Sequence, residues 1–452
     1  MEIIEGGALP IYCWAPGLEE GALRQAANCA NLPVAFHHIA VMADGHQGYG
    51  VPVGAVLALD GAISPYAVGN DIGCGMALVP THLTRGDLLA PVHARSGKPG
   101  ALARDEVMGW VQTSIPAGAE ERRIGSGADR DPARRVLGDA FEALDEAAAV
   151  SGLRLSTSQS TKADAGRPLD AAGFVARGVA QAGTLGSGNH FIELLAGPED
   201  NVWVMLHSGS RGIGALICNN FHRMALAFCG DTDRALIDPG LAWLPTEDGN
   251  WGRVGGCYQR ALRAALDYAE WNRRLMLEEV GRILERRFPD GIRWDGLVDI
   301  HHNDAALEEH FGRRVWIHRK GAVKAARGTQ TITPGSMGTG SYLGRGLGNP
   351  ASFSSCSHGA GRRMSRGRAR QELSLQRELE RVRAAGGKVF AASREAVLDE
   401  MPAAYKDLDE VMAAQADLVE PVRRFTPIGT YKGAERTRRG RRSKGWRPEE
   451  ER

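Results

Sequence analysis

The chain has 452 residues, 43% hydrophobic and 24% charged, which is the composition of a folded globular protein and excludes a disordered chain or a coiled coil. Lys plus Arg number 55 against 54 for Asp plus Glu, a net charge of +1, so bulk charge predicts no polyanionic partner and any nucleic-acid site must come from local patches. Glycine is the outlier, 58 of 452 residues or about 13% against a usual ~7%, which fits tight turns or a backbone that closely approaches a ligand.

The opening MEIIEGGALP carries acids where a signal peptide has basic residues and an apolar run, and no segment reaches the ~18 apolar residues of a membrane span. The expectation is a cytoplasmic protein without a membrane partner. Residues 33–84 read as short strands cut by Gly and Asp: PVAFHHIAVM, VPVGAVLAL and CGMALVPTHL. Residues 93–135, polar and rich in Gly, Pro and charge, read as a surface excursion, and 132–150 as a helix with Pro132 at its start. Residues 191–210 are a third strand cluster, with VWVML the strongest run. Over 257–288, Leu262, Leu266, Ala269, Met276, Val280 and Ile283 step by threes, fours and sevens, which predicts an amphipathic helix. Strands and glycine turns return over 296–345, and amphipathic helices are expected at 368–385 and 406–420, the second stopped by Pro421. No internal repeat or Gly/Ser linker divides the chain. The pattern predicts one α+β domain, residues 1–433, whose sheets are assembled from distant segments. Residues 434–452 form a tail with Arg436, Arg438, Arg439, Arg441, Arg442, Lys444 and Arg447, which reads as disordered and as either a phosphate-binding arm or a solubilising tail.

The seven cysteines are scattered without a CxxC pair, as in a reduced cytosolic protein. Chemistry concentrates in glycine-rich segments: GNDIGCGM (69–76), GTLGSGNHF (183–191), LHSGSRGIG (206–214) and SCSHGAGRRMSR (355–366), with DIHHND (299–304) beside them. Asp71 and Cys74, three apart in a turn, are a carboxylate and thiolate that one turn can aim at one point, and a thiolate can bridge two metals. His190, His207 and one of His301 and His302 add imidazoles. His301 and His302 point to opposite faces of an extended segment, and His302, next to Asn303, is the candidate. Taken singly, each residue also reads as an ordinary structural Cys or His. The runs GSGNHF, PGSMGTGSY (334–342) and SHGAG (357–361) offer backbone N–H groups that cradle phosphate oxygens, yet none matches a phosphate loop or a dinucleotide fingerprint. His358, between Ser357 and Gly359, reads as a neutral imidazole able to attack phosphorus, with Arg362 four residues on to hold an oxygen, or else as a general acid or an ordinary loop histidine.

These segments in this order, together with HIAVMADGHQGYG (38–50), RKGAV (319–323), PGSMG, AYKDLDEVMAAQADLVE (404–420) and Tyr431-Lys432-Gly433, resemble the RtcB-type RNA-splicing ligases, most closely the bacterial type. The resemblance spans almost the whole chain. It implies a single large domain with mixed sheets around a central metal and nucleotide cleft flanked by helices. It implies two manganese ions per subunit held by Asp71, Cys74, His190, His207 and His302, with Cys74 bridging. Ligand softness alone would have pointed to zinc or cobalt. The nucleophile that takes GMP from GTP matches His358. The guanylate pocket matches Asn189, His190, Phe191, Ile192, Glu193, His302, Asn303, Pro334, Gly335, Ser336, Met337, Ser341, His358, Gly359, Ala360, Gly361, Tyr405 and Lys432. Of these, Glu193 and Lys432 would meet the guanine edge and Tyr405 would lie near the base. Arg211 and Arg362 match positions near the RNA phosphate.

The implied reaction opens an RNA 2′,3′-cyclic phosphate to a 3′-phosphate. The 3′-phosphate then attacks the His358–GMP phosphoramidate to give an RNA–ppG end, and a 5′-hydroxyl expels GMP. RNA ends and GTP are the implied partners. An accessory activation factor is a further candidate partner, and a monomer is expected. Two departures from the pattern stand out: Ala43 and Gly45 flank Asp44 in MADGHQG, and the chain continues past Lys432-Gly433. A dinuclear phosphoesterase would use the same metals but gives His358 no role. An RNA-binding protein that has lost catalysis would not need the intact ligand set.

Overall fold

The computed structural model describes residues 1–92, 101–118, 131–157, 167–231, 236–247, 249–391 and 397–433. The basic tail 434–452 and parts of the 93–135 segment lie outside the described residues. Two large sheets organise what is described. The first has six strands in the order Glu2–Glu5, Pro10–Cys13, Ala35–Tyr49, Val51–Leu59, Arg313–Lys320, Asn303–His310. The second runs Val298–His301, Gly75–Thr84, Asn201–Ser208, Phe191–Ala196, Val419–Lys432, Ser341–Gly346, Gln330–Pro334, with Val389–Ala391 added in parallel along Val419–Lys432. Neighbours in the second sheet come from opposite ends of the chain, as an α+β domain assembled from distant segments requires.

The helix Gly249–Glu285 ties the layers together. Its 37 residues at ~1.5 Å each reach about 55 Å, long enough to serve two cores. Its first half packs with the helices Asp131–Ser151, Ala171–Gln181 and Arg211–Asp231 against the six-stranded sheet, through Val254, Tyr258, Leu262 and Tyr268. Its second half covers the other sheet, through Met276, Val280 and Ile283 together with Ile192, Leu194, Val204 and Leu206. All six positions of the stripe expected at 257–288 are buried.

Four sequence expectations need correction. Within 93–135 lies a helix, Ala103–Ser114, whose Val107, Met108 and Val111 are fully buried against the second sheet, so that part is no surface excursion. Three apolar residues at helical spacing carried that signal, hidden among charges. The helix Arg211–Asp231 was not anticipated because it is buried nearly all round and shows no polar face to set a period. The helix expected at 368–385 breaks at Leu373 and Ser374 into Arg366–Glu372 and Leu375–Ala384. The one expected at 406–420 is only Leu408–Ala414, capped by the Asp407 carboxylate, and Pro421 lies inside the strand Val419–Lys432. Pro421 is tolerated there because the pairing shifts register at Leu343 and Gly344, opposite it.

The two-core helix gives a direct contrast. Ile283→Ala, at a fully buried position, is expected to cost about 2–5 kcal/mol of unfolding free energy. Arg282→Ala breaks an i,i+3 pair with Glu279 from a side chain 55% exposed, and should cost no more than about 0.5 kcal/mol. Urea unfolding of both variants checks this; equal losses would mean that the second half of the helix does not anchor the core.

Candidate active site

Five neighbouring strands of the second sheet bring their ends to one edge. Register pairs His301 with Gly75, Gly75 with Ser208, Met76 with His207, His207 with Phe191, and Phe191 with Lys432. Cys74 directly precedes Gly75–Thr84 and His190 directly precedes Phe191–Ala196, while His302 directly follows Val298–His301. His207 and Lys432 occupy the last two residues of their strands. Antiparallel pairing thus lays the starts of some strands beside the ends of others, and residues far apart in sequence meet at one rim.

There the ligand atoms form a chain of contacts. Asp71 Oδ2 is 3.0 Å from His190 Nε2, which is 3.5 Å from Cys74 Sγ. Cys74 Sγ is 3.2 Å from His207 Nε2, which is 3.3 Å from His302 Nε2. Cys74, His190 and His207 present donor atoms all within 4.8 Å of one another. His190 Nδ1 donates to Leu185 O at 2.8 Å and His207 Nδ1 donates to Asn189 O at 3.1 Å. Those bonds fix Nδ1 as a donor in both rings and turn both Nε2 atoms inward. Burial holds His207 and His302 neutral, their values pushed well below the ordinary one. A thiol and three imidazoles that turn Sγ and Nε2 atoms toward one another in a buried space, with Asp71 Oδ1 unpartnered beside them, are a donor set that a transition metal fits. His301 points the other way, toward Arg273, as expected for adjacent residues on an extended segment.

Gly186 shows how tightly the ligand loop is packed. It sits at φ 94°, and a Cβ there would meet Arg211 Nη1 at 2.1 Å and His190 Nδ1 at 2.6 Å. Arg211 itself is half-buried, donating to Gly118 O at 2.7 Å and to Thr184 Oγ1 at 3.2 Å.

The same rim opens on a cleft of about 330 Å³. His358 follows the short strand Ser355–Ser357 and lies across the cleft from the ligands, its ring centroid 4.8 Å from that of His302. Its Nδ1 is 2.6 Å from Asp44 Oδ2, and its backbone N–H donates to the same oxygen at 3.1 Å. Burial raises the Asp44 carboxyl, but the neighbouring His358 outweighs it and leaves Asp44 below its ordinary value. Gly361, at φ 73°, lets the backbone come so close that a Cβ would lie 2.3 Å from Asp44 O. Across the cleft Glu193 is buried and accepts from Thr430 Oγ1 at 2.6 Å. Burial pushes its carboxyl up to about 7, against the opposing pull of Thr430 and Lys432. Lys432 Nζ is 3.3 Å from Glu400 Oε2. Burial lowers its value while Glu400 raises it.

Of the residues named from sequence, Asp71, Cys74, Asn189, Phe191, Glu193, His207, His302, Asn303, Pro334 through Met337, His358 through Arg362, Tyr405 and Lys432 line this one cleft. His190 stands behind it, within the ligand chain. Ile192, on the opposite face of its strand, packs in the core, and Ser341 is buried outside the lining. Arg211 lies outside the lining too. Arg362 lines the cleft, with Nη1 donating to Glu400 and Tyr405 and Nη2 to Asp399 O.

Two residues escaped the sequence reading. Asp44 was noted without a role, and it grips His358. Glu400 gathers Arg362, Lys432 and the Tyr405 hydroxyl around one carboxylate. A carboxylate next to His358 could have been sought in ADGHQG, whereas LDEMP around Glu400 carries no signal.

The raised Glu193 carboxyl has a stability signature. Its folded value of about 7 lies above its ordinary 4.5, so it favours folding below pH 4.5 and loses that contribution as pH rises to about 7. Glu193→Gln removes the effect. In nucleotide-free protein the variant should gain stability relative to wild type between pH 5 and 7, at up to about 1.4 kcal/mol per pH unit, and level off above. Paired urea titrations across that range measure it; a difference independent of pH would contradict the burial account.

Comparison with known proteins agrees with this layout. Residues 25–433 match the family model described as tRNA-splicing ligase RtcB. The chain is 38% identical over 446 residues to the RNA-splicing ligase RtcB of Escherichia coli K12, covering 96% of this chain and 99% of that protein. It is 36% identical over 455 residues to the RNA-splicing ligase RtcB of Mycobacterium tuberculosis, covering 90% and 100%. With the tRNA-splicing ligase RtcB of Thermococcus kodakarensis it shares 32% over 469 residues, 92% of each chain. A family match that begins ahead of the first ligand and runs through the cleft-lining Lys432, with relatives aligned over nearly their full lengths, places this chain in the RtcB family of RNA-splicing ligases.

Proposed function

We propose that this RNA ligase joins RNA ends bearing a 2′,3′-cyclic phosphate or 3′-phosphate to 5′-hydroxyl ends, with GTP as guanylate donor and manganese as its metal. The observation that carries the reading is His358, its Nδ1 2.6 Å from Asp44 Oδ2 and its ring facing the Cys74–His207–His302 cluster in one cleft. A phosphoesterase would have no use for an imidazole so positioned, with a buried carboxylate and lysine, Glu193 and Lys432, beyond it.

The chain's own groups divide the work. Asp44 holds the His358 ring by Nδ1, which makes Nε2 the nitrogen that forms a bond to the α-phosphorus of GTP as pyrophosphate leaves. The Pro334–Met337 and His358–Gly361 turns offer backbone N–H groups to phosphate oxygens. Glu193, ionised once guanine N1–H and N2–H donate to it, selects guanine over adenine. A 3′-phosphate oxygen then displaces the imidazole to form RNA–ppG, and a 5′-hydroxyl attacks the terminal 3′ phosphorus and expels GMP. Asp71, Cys74, His190, His207 and His302 would hold two manganese ions, which supply Lewis acidity for these displacements at phosphorus. For Arg362 to meet the RNA phosphate it would exchange Glu400 for a phosphate oxygen, and Arg211 would act from behind Gly186.

Incubation with α-labelled GTP and manganese, followed by a denaturing gel, tests the reading. Wild type should carry a label lost in acid and kept in base, and His358→Ala should lose it by at least about a hundredfold, as removal of a nucleophile demands. Labelling of His358→Ala at the wild-type level would overturn the assignment.

A further inference from the structure

The helix Gly249–Glu285 carries two adjacent polar residues with fully buried side chains, Asn272 and Arg273, between the two cores. Burying a guanidinium costs several kcal/mol, and an apolar residue of similar volume would suit a core as well or better. What the pair touches gives the reason. Arg273 Nη1 donates to Gly73 O at 2.8 Å and to Ser208 O at 3.1 Å. Arg273 Nε donates to Asp299 Oδ1 at 2.8 Å, and Nη2 lies 3.3 Å from His301 Nδ1. Gly73 is the residue before Cys74, Ser208 the residue after His207 and His301 the residue before His302, with Asp299 two residues further back on the same strand. Asn272 Oδ1 accepts from Gly183 N at 2.7 Å, and Nδ2 faces Thr184 O, Ser208 Oγ and Gly209 O at 3.2 to 3.3 Å. Ser208 Oγ in turn donates to Leu185 O at 2.9 Å, the same carbonyl that holds His190 Nδ1.

We infer that Asn272 and Arg273 are positioning residues: one rigid frame that fixes the relative placement of the four segments bearing Cys74, His190, His207 and His302, and thereby the metal affinity of the centre. The frame holds the backbone carbonyls of Gly73 and Ser208 beside Cys74 and His207, the side chains of Asp299 and His301 ahead of His302, and, through Ser208 Oγ, the Leu185 carbonyl that orients the His190 ring. Its loss would therefore leave the donors present but misaligned. Outer partners of metal ligands set affinity by about ten- to a hundredfold in this way. The inference rests on the metal reading given above.

The test uses Co²⁺ alone, added to the metal-free full-length chain, because a cobalt–thiolate absorption band reports Cys74 without any turnover. Wild type, Arg273→Met, Arg273→Lys and Asn272→Ala are compared, each also unfolded in urea without metal. The frame predicts variants that fold cooperatively yet bind Co²⁺ about ten- to a hundredfold more weakly, with a shifted or weakened band and Arg273→Lys in between. A folded variant with the wild-type affinity and band overturns it. Failure of all the variants to fold overturns it as well, since the pair would then hold the core rather than the ligands. Absence of any cobalt–thiolate band in wild type removes the metal reading itself; a wild-type band with unaltered variants removes only the frame.

Discussion

Cys74 Sγ lies 3.2 Å from His207 Nε2 and 3.5 Å from His190 Nε2, and holding those lone pairs together in a buried space is the constraint on which the cleft depends. Each tautomer is set by a carbonyl on the far side of its ring, so the electron-rich atoms face inward rather than toward water. Such an arrangement is costly without a cation, because buried donors and acceptors otherwise find partners. The surrounding structure over-determines it: strand register aligns the four segments, glycines at 186 and 361 remove the side chains that would collide, and the long helix braces the segments from behind.

The two sides of the cleft use opposite electrostatic devices. On the ligand side, burial keeps His207 and His302 neutral and available as lone-pair donors. On the facing side, carboxylates are buried against polar partners: Glu400 holds Lys432 and Arg362, and Asp44 Oδ2 lies 2.6 Å from His358 Nδ1. Glu193 stands between the two regimes, its carboxyl pushed up to about 7 by burial, so a ligand offering two N–H donors gains most from ionising it.

Much of this was legible in the sequence for a physical reason. Strands and the long helix announce themselves by period, and the stripe from Leu262 to Ile283 is buried at every position named. The site was legible because its residues sit in glycine-rich turns, where backbone crowding restricts the choice of residue, and the resemblance placed them together. Period alone could not have shown that Cys74 and His302 would meet, since register across distant strands decides it. What stayed hidden has no period or a masked one: the all-round buried helix Arg211–Asp231, the Ala103–Ser114 helix whose helical spacing is masked by charges, Glu400 in a featureless stretch, and the Asn272–Arg273 interruption, which in sequence looks like a polar defect in an apolar stripe.

The central claim is that five side chains meeting at one sheet edge hold two metal ions through a shared sulfur. Equilibrium dialysis of the metal-free chain against Mn²⁺, with ions counted per chain in wild type and Cys74→Ala, measures it most directly. The account predicts two ions in wild type and the loss of both in the variant. One ion retained by Cys74→Ala would contradict it, because the thiolate would then serve a single metal and the centre would not be bridged.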